Sequence, residues 1–381
     1  MPKLQRRVTN RLREMRIAAG LSQGDLARMA GITRQGLYAM EKDQYLPGTE
    51  VALQLAQALG TSVEDLFSLD DGQDILQAEL PADHSGVLKS TRVKLATVGN
   101  RLVAKPVMEL GDVLNYTVPA DALILGTIPR RKRSVYVQLL KSPKDVERQV
   151  VVAGCDPAIH LAGEHVRQRG GNVSVVGWNM ASLAALRALK RGDVHVAGIH
   201  MRDRRSGEYN LPFLKKYLQG QTVTVVRFAT WREGLLLKEG NPKQVRGFED
   251  LARPDVRMVN RERGAGARLL LDHLLSRHRI PSRILRGYGT IASSQIDLGR
   301  CIAEGKADVG IGAQAVAQLY NFEFIPLQEE RYDMVIPTAY VHSHPGMKIF
   351  LDTLVTRRFQ REIEALGGYD ARESGKVIRE Q

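Results

Sequence analysis

The sequence predicts a multidomain protein with an all-α bundle, a small β-rich connector and an α/β domain of two lobes. Short helical patterns separated by glycine-centred turns fill residues 8–67. Apolar and polar residues then alternate around a Gly-Asn pair, as in a β-hairpin. From Gln149 onward strand and helix patterns alternate, as in a parallel sheet covered by helices. We therefore expect domains at about 1–69, 70–148 and 149–381.

Composition supports a soluble protein with more than one core. A chain of 381 residues exceeds one ordinary domain, and 43% hydrophobic with 25% charged residues is typical of globular proteins. No apolar run approaches the roughly 20 residues that cross a bilayer, and the basic N-terminus lacks the apolar segment of a secretory signal. The two cysteines, Cys155 and Cys301, argue against a disulfide framework. We expect a cytoplasmic protein that does not contact membranes.

The first helices carry recognisable capping signals. Ser22 precedes one helical pattern with Asp25 three residues later, and Thr33 precedes the next. Two helices joined by a short glycine-containing turn form a helix-turn-helix, whose second helix enters the DNA major groove. The net charge of +13 does not itself locate DNA binding, because residues 1–69 contribute only +2 of it. The alternative for this bundle is an all-α protein-interaction module.

A specific resemblance favours DNA. "GLSQGDLARMAGITRQGLYAMEKDQYLPGTEVALQLAQALGTSVEDLF" resembles the Cro-type helix-turn-helix of the XRE family in its L-S-Q start, L-A-x-x-A-G-I-T turn and V-E-D-L-F ending, although Gly36 departs from the usual residue. The resemblance implies a homodimer on an inverted-repeat, double-stranded operator. The residues that we expect to contact DNA are Ser22, Gln23, Thr33, Arg34, Gln35 and Tyr38.

The connector is predicted from three strand patterns. "RVKLATVGNRLVAKPV" predicts a hairpin, and "ADALILGTI" and "SVYVQLLK" predict further strands. The four basic residues of "PRRKRS" between them are more typical of a charged hairpin tip than of a nucleic-acid patch. We interpret the segment as a connector that helps the chain to dimerise.

The α/β region predicts a clamshell. The pattern places strands at 149–154, 172–179 and 194–200, resumes at 222–231, 256–260 and 307–313, and closes with a strand "MVIPTAYVH" and one long helix "GMKIFLDTLVTRRFQREIEAL". "AGCDPAI", "SLAALRALKRGDVHVAGIHMRDRRSGEYN", "NRERGAGARLLLD" and "GGYDARESG" resemble type-II periplasmic-binding-protein-like domains related to molybdate and tungstate receptors. The resemblance implies lobe 1 at about 149–205 and 305–381, and lobe 2 at about 206–304.

The same resemblance implies a ligand sensor. Molybdate, tungstate or a molybdenum-cofactor species is the expected effector, and no catalytic cofactor is expected. The alternatives are an organic metabolite held by Trp231, Tyr209 and Tyr288, and a DNA-binding enzyme of molybdenum-cofactor biosynthesis.

Strand ends and helix starts supply the candidate ligand residues, because open parallel sheets bind at the carboxyl ends of their strands. Each has a structural alternative: Asp156 and Ser182 suit helix caps, Cys155 suits core packing, and glycines suit tight strand-to-helix packing. Asp156 in the cleft would repel a bare oxyanion and would favour a ligand with hydrogen-bond donors. The candidates are Cys155, Asp156, Ser182, Arg261, Gly264, Ala265, Gly266, Arg268, Thr290 and Ser293.

We expect neither a metal site nor catalysis. His200, Asp203 and Glu208 have the spacing H-x2-D-x4-E, which matches no compact metal-binding motif and is better explained by surface or hinge polarity. The sequence contains no G-x-S-x-G, H-E-x-x-H or P-loop motif.

Overall fold

The computed structural model describes residues 7–70, 75–82, 89, 91–109, 118–129, 133–170 and 172–380. The chain forms two compact units, Met1–Leu76 and Gln77–Gln381. In the part described, no helix is both long and apolar enough to span a bilayer. Arg130–Lys132, the centre of the basic "PRRKRS" segment, lies outside the described residues.

The N-terminal unit is the predicted helical bundle, with one added strand pair. Its core contains Leu12, Leu26, Leu37, Met40 and Leu55. Its elements are β1 (Arg7–Asn10), α1 (Leu12–Ala18), α2 (Gln23–Met29), α3 (Arg34–Glu41), α4 (Thr49–Leu59), α5 (Val63–Leu66) and β2 (Phe67–Asp70), which pairs antiparallel with β1.

Two side-chain caps fix the helix-turn-helix locally. The Ser22 hydroxyl accepts a hydrogen bond from the Asp25 N–H at 3.2 Å, and the Thr33 hydroxyl accepts one from the Gly36 N–H at 3.0 Å. Gly31 lies in the turn between α2 and α3 at φ +66°, a conformation that favours glycine. Both predicted caps and the predicted turn are confirmed.

The connector is a closed barrel with the strand order β3-β5-β4-β6-β7. The predicted hairpin is confirmed: β4 and β5 pair antiparallel across Gly99 and Asn100, with Gly99 at φ +60°. The barrel strands are β3 (Ile75–Glu79), β4 (Arg92–Val98), β5 (Arg101–Pro106), β6 (Ala122–Thr127) and β7 (Ser134–Leu139).

The barrel packs against the α/β domain through a shared apolar core, and is not joined to it by the chain alone. Val98 and Val103 of the barrel belong to the same apolar cluster as Val151 of the α/β domain. A buried polar network reinforces the junction. The Gln149 amide donates to the Leu95 carbonyl and to Asp121, whose carboxylate also pairs with Lys94 at 2.6 Å.

The α/β domain is built on one sheet with the order β13-β12-β14-β11-β15-β10-β8-β9. Strand β8 pairs in parallel with β9 on one side and β10 on the other. Strand β12 likewise pairs in parallel with β13 and β14. The strands are β8 (Gln149–Gly154), β9 (Ser174–Asn179), β10 (Val196–Ile199), β11 (Val223–Leu237), β12 (Met258–Arg261), β13 (Ile291–Ala292), β14 (Val309–Ala313), β15 (Glu323–Pro337), β16 (Tyr369–Asp370) and β17 (Val377–Glu380).

Helices cover this sheet. They are α6 (Pro143–Glu147), α7 (Ala158–Gln168), α8 (Ser182–Arg191), α9 (Leu211–Tyr217), α10 (Gly266–Arg277), α11 (Gln295–Ala303), α12 (Gln314–Tyr320), α13 (Thr338–Ser343), α14 (Met347–Leu354) and α15 (Arg357–Ala365). The predicted combination of helical bundle, small β-rich part and two-lobed α/β domain is confirmed.

The lobe boundaries differ from those expected. Strands β11 and β15 are 15 residues long and pair antiparallel through both lobes, so the crossings lie inside these strands rather than at residues 206 and 305. Leu214 of α9 packs in the lobe 1 core, whereas Val316 of α12 packs in the lobe 2 core. The strand partners of β11 and β15 are distant in sequence, which is why periodicity could not locate the crossings.

The C-terminal prediction was wrong at two places. The strand predicted over "MVIPTAYVH" ends at Pro337, and α13 begins at Thr338. The long helix predicted over residues 346–366 is two helices, because Thr356 caps a new one by accepting a hydrogen bond from the Phe359 N–H at 3.4 Å.

Candidate functional site

Helix α3 presents polar side chains to solvent. Thr33, Arg34, Gln35 and Tyr38 are exposed, with 48% of the Tyr38 surface accessible. Within the described part of the chain, Arg34 and Gln35 have no intramolecular hydrogen bond. The side chains are therefore available to a partner along the helix face that the helix-turn-helix geometry directs at DNA.

The predicted contacts at the start of α2 have structural partners. The Ser22 hydroxyl donates to Asp25, and the Gln23 amide donates to Glu41 at 2.8 Å. Glu41 also pairs with Arg16 at 2.5 Å, and both of these side chains are largely buried. Gln23 is consequently held against the bundle, with its backbone N–H at the helix start.

A small cavity of about 40 Å³ lies between the lobes, at the carboxyl end of β8. Lobe 1 lines it with Cys155, Asp156 and Asn179, and lobe 2 lines it with Ser294 and Gln295. The Asn179 amide reaches the Ser293 carbonyl of lobe 2 at 3.5 Å. The structure thus brings Cys155 and Asp156 of the predicted ligand set into one cavity, whereas Ser293 precedes its lining residue Ser294.

Asp156 combines a capping role with an unused oxygen. Its Oδ1 accepts hydrogen bonds from the Ala158 N–H at 2.9 Å and from the Tyr369 hydroxyl at 2.7 Å. Its Oδ2 is buried and has no partner among the described residues. Burial raises the pKa of Asp156 to about 6, against the lowering effect of these two bonds.

The glycine loop before α10 closes against lobe 1. The Gly264 carbonyl accepts a hydrogen bond from the Leu183 N–H at 3.2 Å, and a Cβ on Gly264 would meet the Leu183 Cβ at 2.9 Å. A Cβ on Gly266 would overlap the His200 ring. Ala265 is the N-cap residue of α10. These residues create close packing between lobes, and the N–H at the start of α8 is already used by the loop.

Both candidate arginines have carboxylate partners. Arg261 is buried and pairs with Glu262 at 2.9 Å, and Arg268 pairs with Asp272 at 3.2 Å. Arg268 also donates to the Arg261 carbonyl at 3.3 Å. Their positive charges are therefore balanced within lobe 2.

Of the remaining ligand candidates, Ser182 is not the helix cap that was expected, and Thr290 is exposed. Ser182 is not the N-cap of α8, which is Ala181; its buried hydroxyl accepts a hydrogen bond from the His200 N–H at 3.1 Å. Thr290 is exposed, and its carbonyl accepts a hydrogen bond from the Asn260 N–H. The Ser293 hydroxyl donates to Asp297 at 3.0 Å.

A second group of polar side chains, which the sequence did not predict, lies where β11 and β15 cross between the lobes. We call His200, Glu233 and Glu330 the hinge cluster. His200 Nδ1 lies 3.6 Å from Glu330 Oε2 and 3.8 Å from Glu233 Oε2, while His200 Nε2 lies 3.3 Å from the Cys155 sulfur.

The hinge cluster is electrostatically perturbed. Burial and the neighbouring Glu330 raise the pKa of Glu233 to about 7, although His200 lowers it. Burial opposes protonation of His200, but Cys155, Glu330 and Glu233 together hold its pKa well above the ordinary value.

Of the two alternatives expected for His200, surface or hinge polarity, its position fits the hinge and not the surface, because the residue is 1% exposed. Glu208 is exposed, and Asp203 accepts hydrogen bonds from the Arg205 and Ser206 N–H groups of its own turn. The sequence did contain a signal that Glu330 is buried. Every second residue after it, Tyr332, Met334 and Ile336, is apolar and buried on one face of β15, and Glu330 lies on the same face.

The aromatic residues considered for an organic metabolite do not form one pocket. Trp231 is buried with its ring 4.9 Å from the Tyr332 ring. The Tyr209 hydroxyl donates to the Glu329 carbonyl, and the Tyr288 hydroxyl donates to Asp272.

Comparisons with known proteins match two segments. A family model described as a PBP superfamily domain matches residues 163–355, and a helix-turn-helix model matches residues 12–66. The uncharacterized protein YvgK of Bacillus subtilis is 30% identical over 243 residues, which cover 64% of this chain and 78% of that protein. An uncharacterized HTH-type transcriptional regulator of Methanothermobacter thermautotrophicus is 44% identical over 61 residues, covering 16% of this chain and 88% of that protein.

Solved structures also resemble the α/β part. The sulfate-binding protein SubI of Mycobacterium tuberculosis has 13% identity and a TM-score of 0.43, covering 58% of this chain and 86% of that one. A substrate-binding domain assigned to a molybdenum ABC transporter of Clostridium difficile has 14% identity and a TM-score of 0.40, covering 58% of this chain and 98% of that one.

Proposed function

The chain belongs to the family of proteins with a PBP superfamily domain, and on this premise we propose that it is a cytoplasmic, one-component transcriptional regulator controlled by a small ligand. The N-terminal unit binds a double-stranded operator, as a homodimer on an inverted repeat. The α/β domain binds the ligand between its lobes and acts by binding rather than by catalysis.

The observation that carries the proposal is the presence, in one chain, of an unpaired recognition face and an interlobe cavity. Arg34 and Gln35 are exposed on α3 without intramolecular partners. Arg pairs with guanine and Gln with adenine through two hydrogen bonds each, so these residue types suit base recognition. Ser22, Gln23, Thr33 and Tyr38 complete the proposed DNA contacts.

For the ligand, we propose a molybdenum-cofactor species ahead of bare molybdate or tungstate. Because the cavity of about 40 Å³ holds only a few water molecules, binding of this ligand requires the two lobes to open. Asp156 lines the cavity and has an unpartnered carboxylate oxygen. A carboxylate there repels an oxyanion but accepts hydrogen bonds from a pterin. Cys155 lines the same cavity, and Ser293 contacts its lining residue Asn179 through its carbonyl. Arg261 and Arg268, which were candidate anion ligands, are paired with carboxylates, and this pairing also disfavours a bare oxyanion.

The test of DNA binding uses the full chain and a library of random-sequence duplexes. We expect selection to enrich an inverted repeat, and we expect Arg34→Ala and Gln35→Ala each to weaken binding to it by about 10-fold, since a bidentate base contact contributes roughly 1–3 kcal/mol. Gln57→Ala, an exposed change on α4, is the matched control. Enrichment of no sequence, or unchanged affinity in both α3 variants, contradicts the proposal.

The ligand test is a panel of thermal unfolding curves with molybdate, tungstate, sulfate, phosphate and molybdopterin. Tryptophan fluorescence suits it, because the chain's two tryptophans, Trp178 and Trp231, both lie in the α/β domain. A ligand at 100 times its Kd stabilises by about 2.7 kcal/mol. Stabilisation by molybdate or tungstate without any effect of the pterin reverses the proposed ranking.

A further inference from the structure

The hinge cluster has the composition and spacing of a metal site. His200, Glu233 and Glu330 each offer one ligand atom, and these atoms all lie within 4.8 Å of one another. The three side chains are 1%, 0% and 2% exposed. Exposed acidic groups often meet without a metal, but ionised groups are costly to bury unless a partner compensates them.

The polar atoms that face each other in the hinge cluster are unpartnered. In the described structure, His200 Nδ1, both oxygens of Glu233 and Oε2 of Glu330 have no hydrogen-bond partner. Two other buried carboxylates have cationic partners: Asp333 pairs with Arg227 at 2.5 Å, and Asp121 of the barrel pairs with Lys94 at 2.6 Å.

No neighbouring side chain supplies the missing charge. Outside the cluster, Arg261 is the cation that acts on Glu233, but its guanidinium makes hydrogen bonds of 2.9 and 3.0 Å to Glu262. In the metal-free chain a proton on His200 offsets part of the carboxylate charge. A divalent cation that displaces this proton binds the neutral imidazole and balances both carboxylates with its charge of +2.

We propose that the hinge cluster binds a divalent transition-metal ion through His200 Nδ1 and the carboxylates of Glu233 and Glu330. Metal–ligand bonds of about 2.0–2.2 Å place ligand atoms about 3–3.5 Å apart. The 3.6 and 3.8 Å separations from Nδ1 therefore need to shorten by only a few tenths of an ångström.

The other nitrogen of His200 fits the same assignment. A ligating histidine ordinarily donates its second ring N–H to an acceptor, which fixes the ring orientation. Here Nε2 lies 3.3 Å from the Cys155 sulfur, on the side of the ring away from the two carboxylates. One imidazole and two carboxylates suit zinc, iron or manganese, whereas Mg²⁺ prefers an all-oxygen octahedron that keeps several waters.

The location gives the ion a structural consequence. Glu233 lies on β11 and Glu330 on β15, the two strands that cross between the lobes, and His200 follows β10 of lobe 1. Glu330 also borders a cavity of about 70 Å³, whose lining includes Asp203 and His273 as well as Arg202 and Arg204. A bound ion links both crossing strands to lobe 1.

The test uses untagged full-length protein, stripped with a chelator and titrated with Zn²⁺ and Co²⁺. We expect one equivalent to bind, and the double variant E233Q/E330Q to bind at least about 100-fold more weakly. The amides keep the side-chain shape and remove the buried charges, so the metal-free double variant folds; its thermal unfolding by tryptophan fluorescence verifies this. Glu249→Gln, which removes an exposed partner of His278, is the matched control and retains binding.

Spectroscopy locates the ion. Because the Trp231 ring centroid lies 5.0 Å from that of His200, Co²⁺ quenches the fluorescence of a Trp178→Phe protein, in which Trp231 is the sole tryptophan. Cys155→Ser retains Co²⁺ binding, and the wild-type complex shows no sulfur-to-cobalt charge-transfer band. Equal affinity in wild type and a folded E233Q/E330Q protein, absence of quenching, or a charge-transfer band abolished by Cys155→Ser overturns the assigned ligand set. None of these measurements involves DNA, so their outcome is separate from that of the operator selection.

Discussion

His195 makes the junction between the barrel and lobe 1 sensitive to acid. The side chain is fully buried. Its Nδ1 accepts a hydrogen bond from the Val151 N–H at 3.0 Å, and its Nε2 donates to the Thr97 carbonyl at 2.8 Å. Both hydrogen bonds can form only when the imidazole ring is neutral, because a proton on Nδ1 would point at the Val151 N–H.

The pKa of His195 sets the size and the pH range of the effect. Burial, assisted by the adjacent His344, lowers this pKa from 6.5 to about 3. Above pH 6.5 the ring is neutral in the folded and unfolded chains, and the full stability is present. As the pH falls from 6.5 towards 3 only the unfolded chain takes up the proton, so folding loses about 1.4 kcal/mol per pH unit. Between pH 7.5 and 5 the loss is about 2 kcal/mol.

Urea unfolding followed by tryptophan fluorescence measures this loss in the full chain. His195→Gln offers an amide oxygen to Val151 and an amide N–H to Thr97 but does not titrate. We expect wild type to lose about 2 kcal/mol more than the variant between pH 7.5 and 5, and the exposed control His342→Gln to behave as wild type. If wild type and His195→Gln lose equal free energy of unfolding, the reasoning is refuted, and other groups such as His344 cause the acid sensitivity.

Three further predictions concern packing, charge and capping. Gly266→Ala places a methyl group on the His200 ring and should destabilise the α/β domain by about 1–3 kcal/mol in urea unfolding, whereas Gly289→Ala, in open space, should not; equal effects would contradict the close packing. Arg227→Met leaves Asp333 buried without its cation and should cost about 3 kcal/mol or more by the same assay, and a loss no greater than that of the exposed Arg372→Met would refute this. Thr33→Ala removes the cap of α3 and should lower the stability of the N-terminal unit by about 1 kcal/mol in circular-dichroism melts, with Thr33→Ser restoring it; an unchanged melting temperature would exclude the capping role.

Local signals in this sequence predicted structure well, and signals that depend on distant partners did not. Ser22, Thr33 and Gly99 act within a few residues of themselves, so their caps and turn followed from the sequence alone. The break at Thr356 was also local, but the apolar pattern on both sides of it favoured one continuous helix.

The hinge cluster illustrates the non-local failure. Glu233 interrupts an apolar strand and Glu330 extends a buried face, but neither signal says that the two meet across β11 and β15 beside His200. A search based on compact spacing grouped His200 with Asp203 and Glu208 instead, its neighbours in sequence. Asp203 borders the cavity beside Glu330 but bonds within its own turn, and Glu208 is exposed.

The charges between the lobes bear on the ligand more directly than the resemblance to oxyanion receptors does. Such a receptor needs hydrogen-bond donors that are not already used, yet the Leu183 N–H is taken by Gly264, and Arg261 and Arg268 are paired with carboxylates. Among the described residues, buried carboxylate oxygens left without partners include Oδ2 of Asp156, both oxygens of Glu233 and Oε2 of Glu330. The Gln295 amide nitrogen is an unpartnered donor in a residue that lines the same cavity as Asp156. Unpartnered buried carboxylates attract cations and donor-bearing ligands, because these lower the cost of keeping carboxylates out of water. The same reasoning accounts for two separate proposals, a pterin-like ligand at Asp156 and a metal ion between Glu233 and Glu330.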